Sequence, residues 1–173
     1  MKTITVVDLF RTIVAKTAEK FDFDINYLHG HPLEITSSLT ELTQSPTLSE
    51  KKYPGIFLFQ DFTEEKGGDF TVVDLNLIIG INTDNTLKAP DRYVSSFTPY
   101  LYPIYDVFLE AIARSGFFAE CNASEIKHTK IDRLYWGRNG LYGNTGNIFN
   151  DYIDCIEIKN LKLKVKPILN TCK

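Results

Sequence analysis

Ile56-Phe57-Leu58-Phe59-Gln60-Asp61-Phe62-Thr63-Glu64-Glu65-Lys66-Gly67-Gly68 opens as a dense apolar run and closes as an acidic, glycine-ended stretch. Residues 72–81 then alternate and are rich in β-branched side chains. An apolar run this short, bounded by turn residues, reads as a central strand. Asp61, Glu64 and Glu65 with Gly67-Gly68 read as the turn after it. Residues 72–81 make a second strand, antiparallel to the first if that turn closes a hairpin.

Helical patterns flank this pair. Upstream, Thr5 carries a hydroxyl that caps a first turn and Asp8 suits the positive helix end. Val6, Leu9, Phe10, Ile13, Val14 and Thr17 follow at helical spacing, which predicts a helix ending near Lys20. Residues 21–28 read as a short strand closed by His29-Gly30-His31-Pro32, and residues 33–42 as a short helix with Ile35, Leu39 and Leu42 inward. Residues 43–54 are polar and hold Pro46 and Pro54, which predicts a surface loop.

Downstream, residues 82–90 read as a polar loop and residues 96–115 as the clearest helix. Pro99 and Pro103 lie in its first turns, so the regular part starts near Pro103. Ile104, Val107, Phe108, Ala111 and Ile112 form its inner stripe, and Gly116 stops it. Residues 126–136 and 152–165 read as strands. In the last strand Ile156 and Ile158 hold one phase while Leu161, Leu163 and Val165 hold the other. A slip at Lys159-Asn160 calls for a β-bulge or a crossing between sheets. The expected architecture is one α+β domain over residues 1–173. It has a mostly antiparallel sheet of about five strands, two main helices on one face, and flexible loops near 43–54, 82–92 and 137–150.

Composition bounds the function. Apolar residues make up 43% of the chain, which is globular in character, and the net charge of −3 argues against general electrostatic holding of nucleic acid. Cys121, Cys155 and Cys172 are an odd, widely spaced set without a C-x-x-C pair, unlike a disulfide scaffold or a zinc knuckle. The first residues lack a signal-peptide core, and no stretch nears the roughly 20 apolar residues of a membrane span. A protein made in the cytoplasm, with no membrane contact, is expected.

Chemistry is sparse. His29 and His31 sit in a polar turn, and His128 is remote, whereas zinc needs three or four converging ligands. A nucleophile elbow is missing, and the loop Asn139-Gly140-Leu141-Tyr142-Gly143-Asn144-Thr145-Gly146-Asn147 lacks the Gly-Lys-Ser/Thr ending of a phosphate loop. No catalytic residue, cofactor or metal is expected. A hydrolase built from His128, Asp132 and a hydroxyl is the enzyme alternative, and it requires those groups to converge at a pocket. The features left over are contact features. Asn139, Tyr142, Asn144 and Asn147 populate a glycine-rich loop suited to ordering on a partner. Lys162, Lys164 and Lys166 share one strand face, which reads either as a guarded sheet edge or as a contact for an acidic partner or DNA. Tyr93, Phe97, Tyr100, Tyr102 and Tyr105 suit an interface as well as a core.

Several segments together resemble a family of small virion proteins from phages and prophages of Bacteroidetes. They are His29-Gly30-His31-Pro32-Leu33-Glu34-Ile35, Tyr53-Pro54-Gly55-Ile56-Phe57-Leu58-Phe59-Gln60-Asp61-Phe62, Tyr100-Leu101-Tyr102-Pro103-Ile104-Tyr105, His128-Thr129-Lys130-Ile131-Asp132-Arg133 with Tyr135-Trp136-Gly137, and Gly146-Asn147-Ile148-Phe149-Asn150-Asp151-Tyr152. The element order also resembles the tail-terminator and tail-completion fold of long-tailed phages. These resemblances imply a non-catalytic structural subunit of a phage neck or tail, located in the virion. It would form a hexameric or dodecameric ring, meet other neck and tail proteins, and make passing contact with DNA in its lumen. An adaptor between portal and tail of a short-tailed phage, or a tail assembly chaperone, is the alternative they leave open.

Overall fold

The computed structural model describes residues 5–119, 122–137 and 151–167. Its elements run α1 (Val6–Ala18), β1 (Asn26–Gly30), α2 (Pro32–Gln44), β2 (Gly55–Gly67), β3 (Phe70–Asn82), α3 (Ala89–Arg92), a π-helical segment (Tyr93–Leu101), α4 (Tyr102–Arg114), β4 (Thr129–Arg133) and β5 (Ile153–Val165). The fold is α+β. One five-stranded mixed sheet has the order β1-β2-β3-β5-β4, with β1 parallel to β2 and the other three pairings antiparallel.

Two cores lie on opposite faces. Ile56 and Leu58 of β2, Val73, Leu75, Leu77 and Ile79 of β3, and Ile156, Ile158, Leu161 and Leu163 of β5 face α1 and α4. Phe10, Ile13, Ile104, Phe108 and Ile112 close this core from the helices. The residues between them in β2, Phe57 and Phe59, turn to the other face with Ile78, Ile153 and Cys155. Ile35 and Leu39 of α2 and the fully buried Trp136 cover that face. Strand period 2 explains why residues 56–59 are apolar without a break: both sides of β2 are inside.

Several expectations need correction. The two main helices, α1 and α4, share one face as expected, while the short α2 covers the opposite one. A parallel β1–β2 pair needs a crossover, and α2 is that crossover. β1 starts at Asn26 instead of residue 21, and β4 spans only Thr129–Arg133. The acidic stretch after Phe59 is not a turn. β2 continues to Gly67 and pairs with β3, so residues 60–71 form a long hairpin arm turning at Gly68-Asp69. Cross-strand pairing along β3 overrides the low strand preference of the acidic residues. Residues 89–92, expected in a loop, are α3.

The slip in β5 is a β-bulge. Leu75 faces Leu161 while Leu77 faces Ile158, so β5 carries one extra residue between them. Asn160 takes φ 52, and its N–H donates to Asn76 Oδ1 at 3.1 Å. The bulge returns Leu161 and Leu163 to the same core as Ile156 and Ile158. β2 shifts register beside the same Asn76, between Phe59 and Thr63.

The left-handed backbone at Asn160 generates a prediction. Asn160→Gly should unfold in urea within about 0.5 kcal/mol of the parent, whereas Asn160→Val should lose about 1–2 kcal/mol, because a β-branched residue is strained at positive φ.

Candidate assembly surface

Arg92 closes α3 and is 1% exposed, an extreme burial for a guanidinium. Its Nη1 donates to Asp154 Oδ1 at 2.9 Å, its Nε to the Leu87 carbonyl at 3.0 Å, and its Nη2 to the Asp84 carbonyl at 3.0 Å. Its guanidinium carbon lies over the Tyr135 ring, 3.7 Å from the centroid. Tyr135 itself takes φ 55, and the next residue, Trp136, donates its N–H to the Ile153 carbonyl at 2.8 Å. Burial pushes the Asp154 carboxyl up, and the Arg92 charge acts against that shift. One side chain thereby ties the 84–92 loop, the β4 exit and β5 together.

A second buried cation ties down the 43–54 stretch. Lys52 bonds Asp151 and donates to Thr43 Oγ1 at 2.6 Å, and Tyr53 donates its hydroxyl to the same Asp151 carboxylate at 2.9 Å.

The π-helical segment starts where Arg92 ends. Pro99 and Pro103 each lack the N–H a helix interior uses, and the chain between α3 and α4 widens to π pitch. This segment divides the aromatic set seen in the sequence. Phe97 is in the core, Tyr102 and Tyr105 are half-buried, and Tyr100 faces outward against Phe23. Tyr93 and Val94 are 56% and 70% exposed. The Tyr93 ring meets the Tyr102 ring edge-on at 6.2 Å. Tyr102 donates its hydroxyl to Asp132 Oδ2 at 2.7 Å, a bond that pushes the phenol up to about 12. Lys130 bonds the same carboxylate and lies 4.6 Å over the Tyr102 ring. The exposed Leu134 sits between Asp132, which holds Tyr102, and Tyr135, which stacks on Arg92.

The geometry also describes His128. Its Nδ1 donates to the Ile126 carbonyl at 2.7 Å, and its Nε2 accepts the Tyr105 hydroxyl at 2.6 Å in that tautomer. Both ring nitrogens are taken, and Asp132 is engaged with Tyr102 and Lys130 instead. His29 bonds the Gln60 side chain, and His31 caps α2 through the Leu33 N–H. Among the described residues no group of three His, Cys, Asp or Glu side chains is placed to hold a metal ion. Nor is any helix among them long and apolar enough to cross a membrane. Cys155 is buried as a free thiol, and burial pushes its pKa up.

Of the contact residues expected from sequence, Asn139, Tyr142, Asn144 and Asn147 lie outside the described residues. Lys162, Lys164 and Lys166 are exposed on one face, with Lys162 Nζ 3.7 Å from Asp74 Oδ2. They do not guard a sheet edge. β5 pairs with β3 on one side, and its other side is closed along this stretch. The Lys164 carbonyl accepts from the Ala119 N–H, the Phe117 carbonyl from the Lys166 N–H, and the Lys127 carbonyl from the Lys162 N–H. Tyr93, Val94 and Leu134 were legible only in part: the aromatic run pointed to residue 93, while Leu134 sat in an apparent strand.

Truncating Arg92 tests the anchor. Arg92→Met leaves Asp154 buried without its cation and should cost about 3–5 kcal/mol in urea unfolding. Arg92→Met combined with Asp154→Leu should recover most of that loss. Equal instability of the single and double variants would show that the pair is not the source.

No protein-family model matches the chain, and no curated protein sequence matches it.

Proposed function

We propose that the chain is a structural subunit of a bacteriophage neck or tail. In this reading it is a tail terminator or head–tail completion protein, which assembles into a ring of its own copies and joins other neck and tail proteins in the virion. The observation that carries the assembly role is the pair of exposed apolar side chains Tyr93 and Val94, with the Tyr93 ring against Tyr102, which Asp132 and Lys130 hold. It is held rigid from beneath by Arg92. A contact surface fixed in advance loses little entropy when a partner covers it, which favours association. The phage context comes from the segment resemblance, and the tail-terminator likeness rests on element order. Ring subunits meet head to tail through two different surfaces. The aromatic patch supplies one surface of that kind.

Tyr93→Ser with Val94→Ser removes exposed apolar area and should leave urea unfolding unchanged. It should weaken assembly by about 2 kcal/mol, roughly thirtyfold, measured by light scattering of the purified protein with its portal, connector and tail-tube partners. Mass spectrometry of purified virions supplies the second readout. Presence at ring stoichiometry is expected; absence would make the chain an assembly chaperone. A strict monomer that binds none of these partners would overturn the reading.

A further inference from the structure

β1 covers β2 only at residues 55–59, so among the described residues the outer edge of residues 60–67 has no strand beside it. An open edge of this length is a template for another chain. Asp61, Glu64, Glu65 and Asp69 line this arm against one cation, Lys66, and every residue named is exposed. Across the same end of the sheet, over β3 and β5, lies a groove of about 350 Å3. Lys127, Lys162 and Lys164 line it with Val72 and Ile126, against one carboxylate, Glu125, which Asn122 already holds at 3.1 Å. The pair between Lys162 and Asp74 is long and exposed, so it neutralises little. Acidic edge and basic groove thus lie side by side at one three-stranded end, where Val72 of β3 pairs with Glu65 on one side and with Lys164 on the other.

We propose that the residue 60–67 arm of one copy docks on the Lys127–Lys162–Lys164 groove of a second copy, head to tail; this rests on the ring reading above and names one contact within it. The occupant is a second copy because the chain carries both halves of the charge match. An edge this acidic repels a strand of like charge and accepts a basic surface. The two surfaces differ, so the contact is heterologous, and repeated it closes a ring or extends a filament.

Two charge reversals test it. The arm variant is Asp61→Lys with Glu65→Lys; the groove variant is Lys127→Glu with Lys164→Glu, which spares the residue opposite Asp74. Sedimentation velocity should show each variant alone self-associating about a hundredfold more weakly than the parent, from like charges meeting across the contact. An equimolar mixture should recover parental assembly, because each reversed arm then meets a reversed groove and each native arm a native groove. Urea midpoints close to the parent's show that both variants fold; an unfolded variant is replaced by its single reversal, Glu65→Lys or Lys127→Glu, read the same way. Parental assembly by either folded variant alone, or a mixture that stays dissociated, overturns the contact and leaves the ring reading standing. A parent chain that is monomeric throughout also overturns the contact, and the virion measurement then decides the ring reading separately.

Discussion

The structure depends on the buried pair of Arg92 and Asp154. A guanidinium removed from water is tolerable only when it is paired and hydrogen-bonded, and here each of its three nitrogens donates one bond, one of them to a carboxylate, while an aromatic ring covers its face. The partners come from the 84–92 loop, from β5 and from the β4 exit. Three segments distant in sequence therefore have one allowed arrangement. An apolar residue of similar volume would fill the space, but it would not select which carbonyls approach or where Tyr135 lies.

The consequence appears at the surface. The chain leaves Arg92 directly into a π-helical segment, so the orientation of Tyr93 and Val94 is inherited from a fixed point. The β4 exit is fixed from the same point through Tyr135, and Leu134 precedes it. Burial thus sets the geometry of an exposed patch. The Lys130, Asp132 and Tyr102 network adds a rigid rim. His128 serves to seat Tyr105 against the 126–128 turn, with both nitrogens in use.

Much of the fold was legible in the residues. Thr5 and Asp8 form the capping pair expected of them, and the helix stops at Ala18. Pro103 marks the regular start of α4, and Gly116 follows its end. The change of phase at Lys159-Asn160 is a bulge, readable because apolar alternation is strict on either side. What failed to read failed for physical reasons. The acidic half of β2 has poor strand preference, and only the pairing with β3 makes it a strand. β1 read as a strand that began too early, but its parallel pairing with β2 has no local signature, since the sequence of a strand does not say which neighbour it takes or in which direction. Arg92 and Lys52 were invisible as anchors because a cation in a polar stretch looks solvated until its carboxylate, 62 or 99 residues away, is placed beside it. The lysines of β5 read either as an edge device or as a contact face, because alternation shows a face and not the neighbours of a strand.

The central claim is that the Arg92-supported patch is covered by protein in the working state. Hydroxyl-radical footprinting of the isolated chain against the assembled particle measures this directly, side chain by side chain. The account predicts strong protection of Tyr93, Val94 and Leu134 on assembly, with Val107, half-buried in the groove between α1 and α4, unchanged. Oxidation of Tyr93 and Val94 at equal rates in both states would contradict it.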